Sequence, residues 1–140
     1  MNEHSKLIKL ALDARENSYS PYSQYKVGAA LLSSSGKVYT GCNVESASYG
    51  ATICAERTAF VKAVSEGERQ FTAIAIAGGK AEQRIDNLSD YAFPCGICRQ
   101  LLSELCDENM NVIIARNETD YKLFDLGQLL PHGFSGNSLK

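Results

Sequence analysis

Two short stretches constrain this chain more than anything else in it. They are Cys54-Ala55-Glu56-Arg57 and, further on, Pro94-Cys95-Gly96-Ile97-Cys98-Arg99. In the second, a helix beginning at Cys95 would place both sulfurs on one face, one turn apart, close enough to share a metal ion. Pro94 agrees with a helix start there, because proline is tolerated at a first turn and not deeper. Cys54 opens another helical pattern, Ala55 to Ser65, so its sulfur also falls at a helix N-terminus, where partial positive charge favours the thiolate. Three thiolate ligands leave one tetrahedral position open, as in a catalytic zinc site. Glu56 is too near Cys54 in sequence to be an easy fourth ligand. It is well placed to reach a water in the open position, which predicts a metal-activated water served by a carboxylate proton shuttle.

Cys-x-Glu followed by Pro-Cys-x-x-Cys resembles the three-cysteine form of the zinc deaminase signature. Around it stand Pro21-Tyr22-Ser23, Val27-Gly28-Ala29-Ala30-Leu31-Leu32, Gly41-Cys42-Asn43-Val44-Glu45, Lys62-Ala63-Val64-Ser65-Glu66-Gly67 and Leu129-Leu130-Pro131. In that order, from about residue 5 to residue 135, the chain is similar to the small homotetrameric cytidine deaminases of the cytidine/deoxycytidylate deaminase superfamily. The resemblance implies a three-layer α/β fold and one Zn2+ per subunit held by Cys54, Cys95 and Cys98, with Glu56 as the catalytic group. It implies hydrolysis of cytidine and deoxycytidine to uridine and deoxyuridine with release of ammonia, in pyrimidine salvage. Asn43 and Glu45 match the residues that bind the sugar hydroxyls. Tyr25 stands where the family usually has phenylalanine, facing the substrate, and Ser46 where many relatives have asparagine. Tyr49 joins the substrate-binding set, and the backbone amides at Ala55 and Cys95, near helix starts, are candidates to steady developing charge. Phe134 matches an aromatic that reaches a neighbouring subunit's site and stacks on the base. Arg57 matches an arginine that offsets the excess charge of a zinc tris-thiolate, and Arg99 is a second candidate for that role.

Size and charge narrow the alternatives. At 140 residues, with 44% hydrophobic and 21% charged, the chain suits one domain over residues 1–140 with a single core. A net charge of −2 argues against nucleic acid as a partner. No apolar run is long enough for a membrane span, and the polar N-terminus does not read as a signal peptide, so a cytoplasmic location is expected. Five cysteines, an odd number, weigh against a disulfide framework. A thioredoxin-like redox pair at Cys95 and Cys98 would leave Cys54-x-Glu56 unexplained. Three alternatives stay open at this point: a structural zinc module with Cys42 as fourth thiolate, a deaminase of bases within RNA or DNA, and a deaminase of a free base or nucleoside-like antibiotic. Otherwise Cys42 and Cys106 read as small buried apolar residues, and His132 as solvated.

The pattern predicts a helix from Leu7 to about Asn17 and a loop from Ser18 to Tyr25. A hairpin follows, Lys26–Ser33 with Lys37–Cys42 about Ser34-Ser35-Gly36. A loop over 43–53 leads to a helix from Cys54 to about Glu66, stopped by Gly67. Phe71–Ala77 reads as a buried strand, 78–92 as a polar excursion, and Cys95–Asp107 as a helix burying Ile97, Leu101, Leu102 and Leu105. Strands over Asn111–Arg116 and Tyr121–Asp125 and a last turn at Leu126–Leu130 complete an α-β-β-α-β-α-β-β order. That order predicts one five-stranded mixed sheet with helices on both faces.

Overall fold

The computed structural model describes residues 3–84, 88–134 and 136. Its elements are α1 (Glu3–Arg15), β1 (Tyr25–Ser33), β2 (Val38–Cys42), α2 (Ala55–Ser65), β3 (Phe71–Lys80), α3 (Gly96–Ser103), β4 (Asn111–Ala115), β5 (Tyr121–Asp125) and α4 (Leu126–Leu129). The strands form one sheet in the order β2-β1-β3-β4-β5. All neighbours are antiparallel except β3 and β4, which run parallel and are joined through α3. Parallel neighbours require such a crossover, so the one parallel pair fixes where α3 enters the fold.

Side-chain alternation along the strands separates two apolar layers. Ala30, Ala73, Ala75, Ala77, Ile113 and Ala115 face α1, which lays Leu7, Ile8, Ala11 and Leu12 against them. The opposite face carries the larger Leu31, Ile74, Ile76, Val112 and Ile114 and is covered by α2, α3 and α4. Helices on both faces of a five-stranded mixed sheet are therefore the architecture, as the pattern predicts. Burial of each large aliphatic side chain in these layers contributes about 2 kcal/mol before entropy is charged against it.

Small residues set the distance between layers. A Cβ on Gly28 would lie 2.0 Å from the Ala11 carbonyl oxygen and 2.4 Å from the Arg15 nitrogen, so β1 and α1 touch backbone to backbone. On the other face, a Cβ on Gly41 would come within 2.6 Å of both the Ala55 oxygen and the Ala59 nitrogen in α2. Arg15, 1% exposed, ends α1 inside the protein. Its guanidinium donates to the carbonyls of Lys26 (3.2 Å), Gly79 (3.2 Å) and Lys80 (2.7 Å), tying the helix to β1 and β3. A buried cation needs such partners, and sequence periodicity gives no sign of them.

Several details differ from the pattern. β3 continues through Gly78 and Gly79 to Lys80, because Tyr25 and Lys26 of β1 pair with Lys80 and Gly79. α3 ends at Ser103, not Asp107. Ile97, expected on its buried face, is 67% exposed. The buried stripe of α3 is instead Cys98 and Leu102, one turn apart, with Leu101 and Leu105 beside it. The cysteine takes the inward position and turns Ile97 outward. The 43–53 loop also contains a 3-10 turn at Tyr49–Ala51.

The contact at Gly28 yields a stability prediction. Gly28→Ala should lower unfolding stability by about 3 kcal/mol, since neither backbone can retreat. Gly50→Ala, whose Cβ would meet nothing within 4 Å, should change it by less than about 0.5 kcal/mol. Denaturant melts of the two variants check this; equal stabilities would refute backbone contact as the reason for Gly28.

Candidate metal centre and substrate cavity

Cys54 is the N-cap of α2 and Cys95 the N-cap of α3, both with extended backbone. The two helix starts meet with their sulfurs facing one another. Cys54 Sγ lies 3.4 Å from Cys95 Sγ, which lies 3.2 Å from Cys98 Sγ. The Cys98 amide also donates to Cys95 Sγ at 3.3 Å. These separations are far too long for a disulfide and a little inside the roughly 3.8 Å expected between thiolates on tetrahedral zinc. The three sulfurs and a Glu56 carboxylate oxygen all lie within 4.8 Å of one another.

Negative charge is unevenly shared within the cluster. Cys54 is lowered to about 6, first by a hydrogen bond from Cys98, with Cys95 and the Arg57 charge helping and burial opposing. Cys98 is driven up, first by its hydrogen bond to the Cys54 sulfur, then by burial and the Glu56 charge. One thiolate is welcome here and further negative charge is resisted, unless a cation joins the cluster. Glu56 is 3% exposed. Burial pushes its carboxyl above the usual range, and the Cys54 charge adds to this. The backbone amides of Glu56 and Cys95 and the Cys98 side chain pull the other way. The Cys95 amide thus faces the carboxylate rather than a substrate. Three soft sulfurs, one oxygen acceptor and a deficit of positive charge form a donor set that fits zinc.

Beside the cluster lies a cavity of about 490 Å³ whose lining includes Tyr25, Val27, Asn43, Glu45, Cys54, Ala55, Glu56, Tyr91, Phe93 and Cys95. Asn43 is fastened to β1: its Oδ1 accepts from the Val27 amide (2.9 Å) and from the Ser18 hydroxyl, and its Nδ2 donates to the Tyr25 carbonyl (2.9 Å). One side-chain N–H remains for a ligand. Glu45 accepts from the amides of Tyr22 and Ser23, both at 3.1 Å, and from the Ser23 hydroxyl. Burial pushes its carboxyl up, but these donors outweigh it and hold it below the usual range. The Tyr25 hydroxyl is pushed up by burial and then by Asp90, with Arg15 opposing.

Other expected residues stand elsewhere. Tyr49 is 86% exposed and lines an adjoining depression with Tyr22, Ser23, Glu45, Ser46 and Thr52. Phe134 is exposed, and its carbonyl accepts from Gln100 Nε2 of α3. Arg57 donates to the Thr52 carbonyl, while its buried Nε has no partner among the described residues. Arg99 donates to the carbonyls of Pro94 (2.8 Å) and Leu129 (2.9 Å), so it braces the cysteine loop against α4. Cys106 is buried, whereas Cys42 is half-buried and stands outside the sulfur cluster. Residues 91–93 form a cavity wall that the polar look of the 78–92 excursion conceals; the one hint is an aromatic pair just before Pro94.

Residues 1–114 match the family described as the cytidine and deoxycytidylate deaminase zinc-binding region. The chain is 42% identical over 134 residues to a cytidine deaminase of Sporosarcina psychrophila, covering 96% of this chain and 93% of that one. It is 43% identical over 133 residues to one from Halalkalibacterium halodurans, covering 95% of each. The crystal structure of cytidine deaminase from Burkholderia pseudomallei superposes with a TM-score of 0.83 at 43% identity, covering 96% of this chain and all of that one.

The geometry predicts which thiols hold metal. Cys95→Ser should abolish zinc binding, whereas Cys42→Ser should leave about one zinc per chain. Metal content of the purified variants decides it, and loss of zinc from Cys42→Ser would point to a closed, four-thiolate site.

Proposed function

Because this chain belongs to the family of cytidine and deoxycytidylate deaminases, we propose that it hydrolyses the 4-amino group of cytidine and of deoxycytidine in pyrimidine salvage. The products are uridine or deoxyuridine and ammonia. The observation that carries this reading is the buried Glu56 carboxyl beside three sulfurs at the edge of a nucleoside-sized cavity. Cys54, Cys95 and Cys98 would hold the zinc, which when bound makes a water acidic enough to lose a proton near neutral pH. Glu56 takes that proton on a carboxylate oxygen and delivers it to ring N3 as C4 is attacked; it then takes the proton of the new C4 hydroxyl and delivers it to the departing amine, leaving the C4 carbonyl and ammonia. Glu45, ionised and held by three donors, accepts from sugar hydroxyls, and the spare Asn43 N–H donates to them. Tyr25 supplies an aromatic face, and the Ala55 amide at the start of α2 adds a donor.

Ammonia release should be seen with cytidine and deoxycytidine and not with cytosine or adenosine; comparable turnover of cytosine would remove the sugar-binding roles. Glu56→Gln should keep about one zinc per chain while turnover falls at least 10²–10⁴-fold. Activity within about tenfold of the unsubstituted enzyme would end the proton-shuttle assignment.

The reading extends to a cytoplasmic homotetramer with shared active sites. Tyr49 and Phe134 support it, since both are exposed and neither lines the cavity of its own chain. Phe134→Ala should weaken substrate binding by about 1–2 kcal/mol. Glu56→Gln chains still carry Phe134 and can lend it to Phe134→Ala chains that retain Glu56. Co-refolding the two should give more activity than the sum of the separately refolded parents. Strictly additive activity in verified mixed oligomers would place Phe134 in its own subunit's service or in none.

A further inference from the structure

The segment that leads into Cys95 lies outside the helices and strands, yet it walls the cavity with Tyr91, Ala92 and Phe93. What holds it comes largely from the β4–β5 hairpin. Tyr91 donates its hydroxyl to Asp120 Oδ1 at 2.6 Å. Arg116 Nε donates to Asp120 Oδ2 at 2.9 Å, and Arg116 Nη2 donates to the same oxygen. The Arg116 guanidinium carbon sits 4.5 Å and the Lys122 ammonium 4.4 Å from the centroid of the Tyr91 ring. Two residues on, Phe93 packs edge-on against Phe124 of β5, with centroids 5.5 Å apart. The hairpin turn is itself stiffened, since Asn117 Oδ1 accepts from the amides of Thr119 (2.9 Å) and Asp120 (2.8 Å).

The inner side of the wall is just as closely set. A Cβ on Gly78 of β3 would fall 2.8 Å from the Ala92 Cβ, 3.0 Å from Val27 and 3.2 Å from the Tyr25 ring. The wall therefore rests on the same point of the sheet as Tyr25, with no slack between them. Asp120 lies below the ordinary carboxyl range, first because Tyr91 donates to it and then because Arg116 does, which keeps the acceptor ionised.

We propose that the β4–β5 hairpin is a positioning device for the substrate cavity: Asp120 and Arg116 clamp Tyr91 so that residues 91–93 stand as a fixed wall facing Tyr25. The clamp's first role is to set the width of the slot that receives the ring. Asp120 and Arg116 are positioning residues, and they act through Tyr91. The proposal rests on the nucleoside reading of the cavity for the identity of what the slot receives. The clamp itself rests only on the contacts above.

The test compares Tyr91→Phe, Asp120→Ala and the double variant with the unsubstituted zinc-loaded protein. Each single variant should raise KM for cytidine and the dissociation constant for uridine together by about tenfold, with kcat changed by less than about threefold. Zinc content should stay unchanged. The double variant should be no worse than Asp120→Ala alone, because the two changes break one contact. Asp120→Asn, which keeps an acceptor for Tyr91, should recover part of the loss. Amide hydrogen exchange at Ala92 and Phe93 should quicken in Asp120→Ala while exchange in β3 and α2 stays slow. Unchanged KM, uridine affinity and wall exchange, with only a lower melting temperature, would make the cluster a plain hairpin staple and overturn the proposal. Failure of the unsubstituted protein to bind uridine or release ammonia from cytidine would overturn the nucleoside reading instead, and the exchange comparison would then decide the clamp alone.

Discussion

Everything at the functional end of this protein depends on placing three sulfurs and a carboxylate in contact, largely away from water. Left to themselves such groups repel as they ionise, so the surroundings must supply positive potential. Two helix N-termini do part of this, because Cys54 and Cys95 occupy the N-cap positions of α2 and α3. The Cys98 amide, the Cys95 amide and the Arg57 charge add to it, each directed at a member of the cluster. None of these supplies a full countercharge among the sulfurs. A divalent ion does, which is why the donor set fits zinc so well.

The cluster is only as accurate as the height of the helices above the sheet, and there the sheet decides. Gly41 lies directly beneath the first turn of α2, touching the Ala55 and Ala59 backbone. A side chain at that point would lift the turn that carries both Cys54 and Glu56. The alanines facing α1, with Gly28, play the matching part on the opposite face. A core of close-set small residues gives up some hydrophobic burial in exchange for backbone contact, which is stiffer than side-chain contact.

The same distinction explains what the sequence could and could not disclose. Cys54, Glu56, Cys95 and Cys98 are legible because their chemistry is local: spacing, capping and a proline place them before any tertiary contact is known. Asn43 and Glu45 are legible only by resemblance, since their settings depend on β1 and on residues 22 and 23. Ile97 misleads because an apolar residue in an amphipathic helix reads as buried, whereas Cys98 claims the inward direction. Arg15 and the wall at 91–93 were hidden for a deeper reason. Their partners lie in β1, β3, β5 and the turn at 116–120, and no local period records such pairings.

The cysteine loop is held at two separate places. Residues 91–93 and the ligand pair at 95 and 98 belong to one continuous segment, so a shift of the wall could be expected to drag the sulfurs with it. The anchors are separate, however. Arg99 fixes the Pro94 carbonyl and braces it to the Leu129 carbonyl, and Pro94 itself is buried. The wall is fixed instead by Asp120, Phe124 and the contact over Gly78. Pro94 stands between the two sets of restraints, and its closed ring limits how far motion on one side can turn the backbone on the other. The clamp proposed for the β4–β5 hairpin therefore acts on the wall, while α2 and α3 hold the sulfurs. The wall and the sulfur ligands are thus adjacent in sequence but separately anchored.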